Sequence, residues 1–451
     1  MAYANTTLGQ AKTQLAQLLG DETNVFWTAN ELGVYITEAL RTWGAMSLYW
    51  KERGTFSTTA NQPFYLLQTQ LPTQLAYTVT DQDLVESIQY SLLEPPTGNS
   101  WTGTDQFSLL DLTNAIQRRR NKFLVETGAV LSHSNPVITP QVAGRYPIAD
   151  TIIDVRRVGF QDSTSSTWNT LWREDEWAFG AASAMTWANN AGAPQAYSVA
   201  VTPPVTLQIY PPPNNSGTLD LITVDDGAAL NPSVGVILGV PDDFAWVVKW
   251  GALADLLGAD GQARDPERSK YCEARWEEGL ELARIYTSIA QLQVNGIPVY
   301  VCSLQELDSG NYNWRNAMGQ PNLGAMAGQN LLVLAGNGQS GFGLPDGVYG
   351  ISADVVRKAP IPTADGDFLQ VGQEELDSIL RYAEHIAAFK MAAYEFTSTF
   401  PQYKGFMKAA SLVNERLLAN AKNFAVLTDR TKLEDSRRPR RQQPEEVTAN
   451  G

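Results

Sequence analysis

Between Val240 and Leu292 the chain carries two consecutive apolar patterns joined by a short glycine-containing turn, and any fold must bury the apolar faces of both. The first, from Pro241 to Leu257, opens on Pro241, Asp242 and Asp243. Proline has no N–H to leave unpaired at a helix start, and carboxylates there meet the positive end of the helix dipole. Phe244, Val247, Val248, Gly251 and Ala254 then recur on one face at helical spacing. The second, Pro266 to Leu292, has Asp265 as a natural N-cap, with Cys272, Trp276, Gly279, Ala283, Tyr286 and Ala290 repeating in steps of four and three. The spacing predicts an amphipathic helical hairpin in which Gly251 and Gly279 let the two backbones approach closely. Glu273, Glu277, Glu281 and Arg284 fall on its wet face.

Such a hairpin needs partners, and the N-terminal part offers them. Thr7 to Leu19 is amphipathic and closed by Gly20; Thr28-Ala-Asn-Glu31 spells a capping box ahead of the stripe Leu32, Ile36, Ala39, Trp43, Met46 and Trp50. Extended segments follow from Arg53 to Pro72, then a helix from Thr80 or Asp81 towards Pro95 and another over about Ser108 to Thr127. Residues 130–239 have strand character at Ile152 to Phe160, Thr167 to Trp172, Ala196 to Val201, Val205 to Tyr210 and Leu219 to Val224, with one helix near Glu174 to Asn189. Pro211 to Gly217 has the residue types of a hairpin connection. Helices flank this block on both sides, which predicts a β-rich insertion in a helical body. The expected fold class is α+β: an elongated amphipathic helical bundle with an inserted antiparallel sandwich- or barrel-like domain and a mobile basic C-terminal tail. The expected segments are 1–129 helical with short extended pieces, 130–239 β-rich, 240–292 the hairpin, 293–370 rich in loops and strands, 371–428 helical, and 429–451 the tail.

Length and charge bound the function. A chain of 451 residues exceeds one compact core, so two or three domains or one elongated subunit are expected. The net charge of −15 argues against a bulk surface that grips nucleic acid, because phosphate binding needs a cationic face. With only Cys272 and Cys302, and no basic and apolar leader after Met1, synthesis in a reducing cytoplasm without disulfides is expected. No run approaches the 18 or so apolar residues of a membrane span, so no membrane partner is expected.

The search for chemistry yields little. Gly336-Asn-Gly338-Gln-Ser-Gly341 matches a dinucleotide-binding pattern, but the following Phe342-Gly-Leu-Pro-Asp-Gly347 cannot start the helix that pyrophosphate needs, so a strand-to-strand loop is the reading. His133 and His385 are far apart in sequence and have no paired cysteines, which leaves no zinc ligand set, and there is no G-x-S-x-G elbow for a serine triad. Asp242 with Asp243, Asp225 with Asp226, Glu174-Asp-Glu176 and Asp365 with Asp367 read as helix caps, turn supports and surface charges. Arg118-Arg119-Arg120 reads as a solvated helix face; the sharper alternatives are pairing with acidic neighbours or contact with DNA phosphate. Catalytic, cofactor and metal residues are all expected to be absent. The remaining interaction candidates are the tail residues Arg430, Lys432, Arg437, Arg438, Arg440 and Arg441, and the wet face Glu273, Glu277, Glu281 and Arg284 as a subunit interface.

Several stretches together resemble one family. Leu8-Gly-Gln-Ala-Lys-Thr-Gln-Leu-Ala-Gln-Leu-Leu-Gly-Asp21, Phe26-Trp-Thr-Ala-Asn-Glu-Leu32 and Tyr35-Ile-Thr-Glu-Ala-Leu-Arg-Thr-Trp-Gly44 are similar to the opening of head-to-tail adaptor proteins of tailed bacteriophages. So is the later order of Leu207-Gln-Ile-Tyr-Pro-Pro212, Pro241-Asp-Asp-Phe244, Gly251-Ala-Leu-Ala-Asp-Leu-Leu-Gly258 and Tyr271-Cys-Glu-Ala-Arg-Trp-Glu-Glu-Gly279. The resemblance covers about residues 8 to 58 and 192 to 292, and it lies in packing motifs. It implies a non-enzymatic virion subunit at the head–tail junction, assembling as a homo-oligomeric ring, typically a dodecamer. Such a ring sits below the portal protein, joins tail or nozzle proteins and lets genomic DNA pass without sequence-specific binding; a C-terminal extension often grips the portal. The greater length and β-rich middle depart from the smallest adaptors and leave open a tail tubular or nozzle role. A carbohydrate-active virion enzyme using Trp168, Trp172, Trp177 and Trp187 is the competing class.

Overall fold

The computed structural model describes residues 5–93, 107–141, 144–182, 189–200, 205–310, 314–338, 341–391 and 393–428. Its first two helices, α1 (Leu8–Leu18) and α2 (Ala29–Ser47), both start at capping boxes, with Thr7 bonded to the Gln10 amide and Thr28 to the Glu31 amide. Strands β1 (Lys51–Ser57) and β2 (Phe64–Leu66) follow, then two single turns, α3 (Leu67–Gln70) and α4 (Pro72–Leu75). Thr80 and Ser108 cap α5 (Asp81–Ser91) and α6 (Leu109–Thr127) by the same device. Gly128 ends α6 at φ +59°, a left-handed conformation that a side chain would strain.

Strands β3 (Ser132–Ser134), β4 (Val137–Ile138), β5 (Arg145–Pro147), β6 (Ile152–Asp162), β7 (Trp168–Thr170) and β8 (Trp172–Arg173) come next. The helix α7 (Glu176–Ala182) precedes β9 (Ala196–Ala200), β10 (Thr206–Tyr210) and β11 (Gly217–Asp225). Among the described residues these strands form a sheet in the order β5-β10-β9-β8 and another in the order β3-β11-β6-β7, with β4 also on β11. One apolar core lies between them, built from Val155, Val158, Phe160, Leu207, Ile209, Leu219 and Leu221. Pro211 to Gly217 is not a hairpin connection: β10 and β11 belong to different sheets, so this proline-rich segment carries the chain from one layer to the other. Its composition suits any sharp reversal and does not distinguish the two paths.

The central stretch departs from the expected hairpin at both ends. A 3₁₀ turn, Asp242–Phe244, leads into α8 (Ala245–Gly258), and Asp265 caps α9 (Pro266–Ile285) through the Arg268 amide. α8 is not amphipathic. Trp246, Val247, Val248, Lys249 and Trp250 are all buried in succession, as in a helix enclosed on every side. Even Lys249 is covered: its ammonium lies 2.7 Å from Glu38 of α2, whose other oxygen accepts the Trp250 indole N–H at 2.9 Å. The glycines act as expected, since a Cβ on Gly279 would fall 2.4 Å from Val247 Cγ2 and one on Gly251 would fall 2.5 Å from Trp276 Cε3. α9 stops at Ile285, however, and the chain re-enters a sheet as β12 (Ile289–Val294).

β12, whose first residues were expected to end the second helix, opens a second β region that runs through the segment expected to be rich in loops and strands. After it come β13 (Ile297–Ser303), α10 (Leu304–Gly310), β14 (Ala317–Gly319), β15 (Pro321–Ala327), β16 (Leu331–Gly338), β17 (Gly341–Pro345) and β18 (Gly350–Val356). Together with β1 and β2 they make a nine-stranded sheet, in the order β1-β18-β12-β13-β15-β16-β17-β14 with β2 on β16. The pairing is antiparallel except for β13 with β15 and β14 with β17. Ile289, Leu292, Val294, Leu332, Leu334, Ile351, Ala353 and Val355 form its own apolar core with Tyr65, Leu67 and Leu71. The chain ends in α11 (Gln373–Ala388), α12 (Ala393–Ser398) and α13 (Phe400–Thr428). α2 packs against α1, α11 and α13, while α6 packs on α8 and α9. The protein is thus mixed α+β, but its strands come from both sides of the central helices in sequence.

Candidate functional site

Both histidines are held by hydrogen bonds from distant parts of the chain. His133, on β3, has Nε2 2.6 Å from Asp220 of β11 and stacks on Phe64 with ring centroids 3.9 Å apart. Asp220 is fully buried and also takes the guanidinium groups of Arg157 and Arg315. Burial alone would raise its carboxyl, but the His133 hydrogen bond and the two arginine charges outweigh that and hold it well below the usual carboxylate range. Arg157 continues to Asp308 of α10 at 2.6 Å, and Asp308 accepts the Trp314 indole N–H at 2.8 Å. The cluster therefore ties the two-layered β unit to the nine-stranded sheet by balanced, desolvated charges, an arrangement that specifies geometry more than it adds stability.

His385, on α11, is buried between the Tyr271 hydroxyl, 2.8 Å from Nε2, and Thr399 Oγ1, 2.7 Å from Nδ1. Burial, aided by the Arg275 charge, pushes its pKa down to about 3, so the ring is neutral across the ordinary range. Arg275 itself is 1% exposed; it donates to the Tyr382 and Tyr403 hydroxyls at 2.5 Å each and pairs with Glu278. One cation thus joins α9, α11 and α13 across faces that are otherwise aromatic.

The carboxylate pairs divide. Asp242 and Asp243 do not cap the central helix: the 3₁₀ turn has no side-chain cap, and both residues are buried. Asp242 accepts the Thr78 and Val79 amides at 2.7 and 3.1 Å and meets Lys358 at 3.2 Å. Asp243 accepts the Ala359 amide at 3.0 Å, and its second oxygen is buried without a hydrogen-bond partner among the described residues. Both do stand in the first turn of the helical run, as expected, but their oxygens also serve distant segments that need acceptors for their backbone N–H groups. Asp367, in contrast, supports its own turn through Thr363 and Ala364, and Asp365 pairs with Lys12 at the surface.

The arginine triplet is largely internal. Only Arg118 is well exposed; Arg119 is buried over the Trp276 ring and pairs with Asp255 at 2.5 Å and Glu273 at 2.7 Å. Arg120 donates to the carbonyl oxygens of Ala228 and Asp226. The solvated-face reading is thereby corrected, and pairing with acidic neighbours is what the residues do. The glycine motif lies in a strand-to-strand connection, with Gly336 and Gly338 on β16 and Gly341 opening β17 antiparallel to it.

Of the proposed interface residues, Glu273 is half-buried in the Arg119 pair, and Arg284 reaches Glu126 of α6 at 3.1 Å. Glu277 and Glu281 stay exposed on α9. The tail residues Arg430, Lys432, Arg437, Arg438, Arg440 and Arg441 lie outside the described residues. Sequence reasoning missed a groove along α2, with a volume near 340 Å³ and walls that include Lys12, Thr37, Arg41, Asp83, Glu86 and Trp246. It also missed the protrusion Trp172–Ala178, exposed at every residue. Among the described residues no three His, Cys, Asp or Glu side chains gather where they could hold a metal ion, and no helix is long and apolar enough to cross a membrane.

The root of the tail has a definite geometry. Asn414 of α13 donates to the Met46 carbonyl in the last turn of α2, and Arg416 pairs with Glu375 in the first turn of α11 at 3.1 Å. Both neighbouring helices thus stop at the level of residues 414–416, whereas α13 runs on to Thr428. The remaining dozen residues add about 18 Å at 1.5 Å per residue. Compared with protein-family models and with curated proteins, the chain matches none.

Proposed function

We propose that this chain is a structural virion protein, a head-to-tail adaptor that assembles as a ring, dodecameric by the family resemblance, below a phage portal. On this reading the helices form an elongated bundle carrying the two-layered β unit, the ring joins capsid to tail, and its lumen passes DNA without binding it specifically. The observation that carries it is the reach of α13: its helical backbone runs three turns beyond its contacts with the end of α2 and the start of α11, and the sequence that follows is arginine-rich and suited to gripping the portal. A helix extended past its own partners is stable chiefly when another surface receives it. Support also comes from where the ionisable groups are spent, since both histidines and the buried carboxylates hold segments together. The chain is accordingly read as having no catalytic role and no cofactor.

Electron microscopy of the purified protein, alone and mixed with portal protein, tests this directly. Rings that cap the portal are the expected result. Stacked tubes would move the protein to a tail tubular or nozzle role, and a monomer that cleaves polysaccharide would overturn the structural reading.

A further inference from the structure

The segment Trp172–Ala178, which comprises β8 and the first turn of α7, presents seven consecutive exposed residues at the edge of the β5-β10-β9-β8 sheet. Two of the most exposed large apolar side chains in the described protein stand on it, Trp172 at 71% and Trp177 at 79%. The backbone beneath them is firmly tied. Trp172 N–H donates to Gln195 O at 3.0 Å, Glu174 N–H to Tyr197 O at 2.8 Å, and Trp177 N–H to Asp175 Oδ1 at 2.6 Å. Just beyond, Phe179 is buried and stacked on Tyr210 at 5.1 Å. The two indoles are thus held out in water by an anchored loop, and exposed aromatics of this kind mark contact surfaces.

Between the tryptophans lie three carboxylates, Glu174, Asp175 and Glu176. Glu176 meets Arg145 at 2.9 Å, but that pair is half exposed on both sides, and Glu174 has no ion-pair partner among the described residues. The one cation of the loop, Arg173, turns back to Asp154 at 3.4 Å. Two exposed indoles that bracket three carboxylates in the sequence fit a cationic, planar partner, because guanidinium groups stack on indoles and bind carboxylates through forked N–H donors. A neutral sugar would use the indoles and leave the negative charge unanswered.

We infer that the loop Trp172–Ala178 docks the arginine-rich segment Arg430–Arg441 of a neighbouring copy. That segment holds Arg430, Lys432, Arg437, Arg438, Arg440 and Arg441. Its complement of charge is on this loop. The overhang of α13 carries the root of the segment past its own α2 and α11. Thirteen extended residues from 429 to 441 span up to about 45 Å, enough to reach across a subunit boundary. The assignment rests on the ring reading only in needing copies side by side; a portal would then compete with the loop for the tail.

The test uses the full chain. Equal amounts of ¹⁴N- and ¹⁵N-labelled protein are mixed, treated with a carbodiimide that joins amines to carboxylates at zero length, and digested for mass spectrometry. Mixed-isotope links from Lys432 to Glu174, Asp175 or Glu176 are expected. They should fall about three- to tenfold in a Trp172→Ala/Trp177→Ala double variant and be largely lost at about 0.5 M salt, where charges are screened within a few ångströms. Both substitutions are exposed, so an unchanged melting temperature confirms that the variant is folded. Absence of the links, links insensitive to the double variant, or links only within single-isotope chains would each overturn the docking. So would binding of a neutral oligosaccharide such as maltohexaose that the double variant abolishes while the links persist. Rings seen by microscopy without these links sink this inference alone; failure of rings sinks the adaptor reading.

Discussion

Asp243 offers a sharp test of how the segments around α2 are held. Its carboxyl is 3% exposed, and burial pushes its pKa from 3.8 up to about 7, with Asp242 adding to the rise and Arg41 and Lys358 opposing it. Tyr286, half-buried beside it, also feels the Asp243 charge. The folded protein therefore keeps a proton that the unfolded chain has lost between about pH 4 and pH 7. Across that window stability falls as pH rises, and above pH 7 the full cost of a buried, half-satisfied carboxylate remains. Three pKa units correspond to about 4 kcal/mol, a figure already net of the attraction of Arg41 and Lys358. Asp243→Asn keeps an oxygen for the Ala359 amide and removes the titration. We expect the variant to unfold about 1–3 kcal/mol less readily than the parent at pH 8, with the difference shrinking towards zero near pH 4. Urea denaturation at several pH values, compared as the difference between the two proteins, reads this while cancelling every other titrating group. A difference that is constant with pH, or a parent that is more stable at pH 8, would refute the account.

His385 works in the opposite direction: its depressed pKa means that stability is lost as pH falls below about 6.5 towards 3, so His385→Gln should flatten the acid limb of the melting profile. Gly279→Ala places a Cβ against both Val247 methyl groups and should cost about 1–3 kcal/mol, read as a lower denaturation midpoint; an unchanged midpoint would mean that α8 and α9 part easily. Arg275→Ala removes the cation shared by Tyr382, Tyr403 and Glu278 and should destabilise by roughly 3–5 kcal/mol, loosening α13 first in hydrogen exchange. Deleting Asp429 to Gly451 should leave the melting temperature unchanged and weaken co-sedimentation with portal protein; undiminished binding would remove the tail from that role.

Much of the helical layer was legible because its signals are local. The capping boxes at Thr7, Thr28, Thr80 and Ser108 involve residues three apart, and each marks a real helix start. What escaped was decided at long range. Ile289 and Leu292 are spaced three apart, as in a helix, yet both point into a sheet core because Val355 and Ala353 stand beside them. Arg119 looks solvated until Asp255 and Glu273, more than 130 residues later, come against it. Asp242 and Asp243 look like caps until Thr78, Val79 and Ala359 present backbone amides to them and Lys358 its ammonium. For the candidate site, composition alone singles out the tail, which lies outside the described residues. The exposure of Trp172 and Trp177 depends on which sheet face remains uncovered, and no sequence period reports that.

The pairing of β1 with β18 has a consequence during synthesis. Lys51 lies opposite Val356 and Ser57 opposite Gly350, so a strand made near the start of translation waits for partners about 300 residues later. At roughly 5–20 residues per second that wait lasts about 15–60 s on the ribosome. Throughout it, β1 exposes unpaired amides and carbonyls, an edge open to other nascent chains. Lys51 and Arg53 on that strand supply charge that discourages such pairing, and they do so before Arg53 has met Asp354. Closure of this sheet thus cannot begin before β18 has been made.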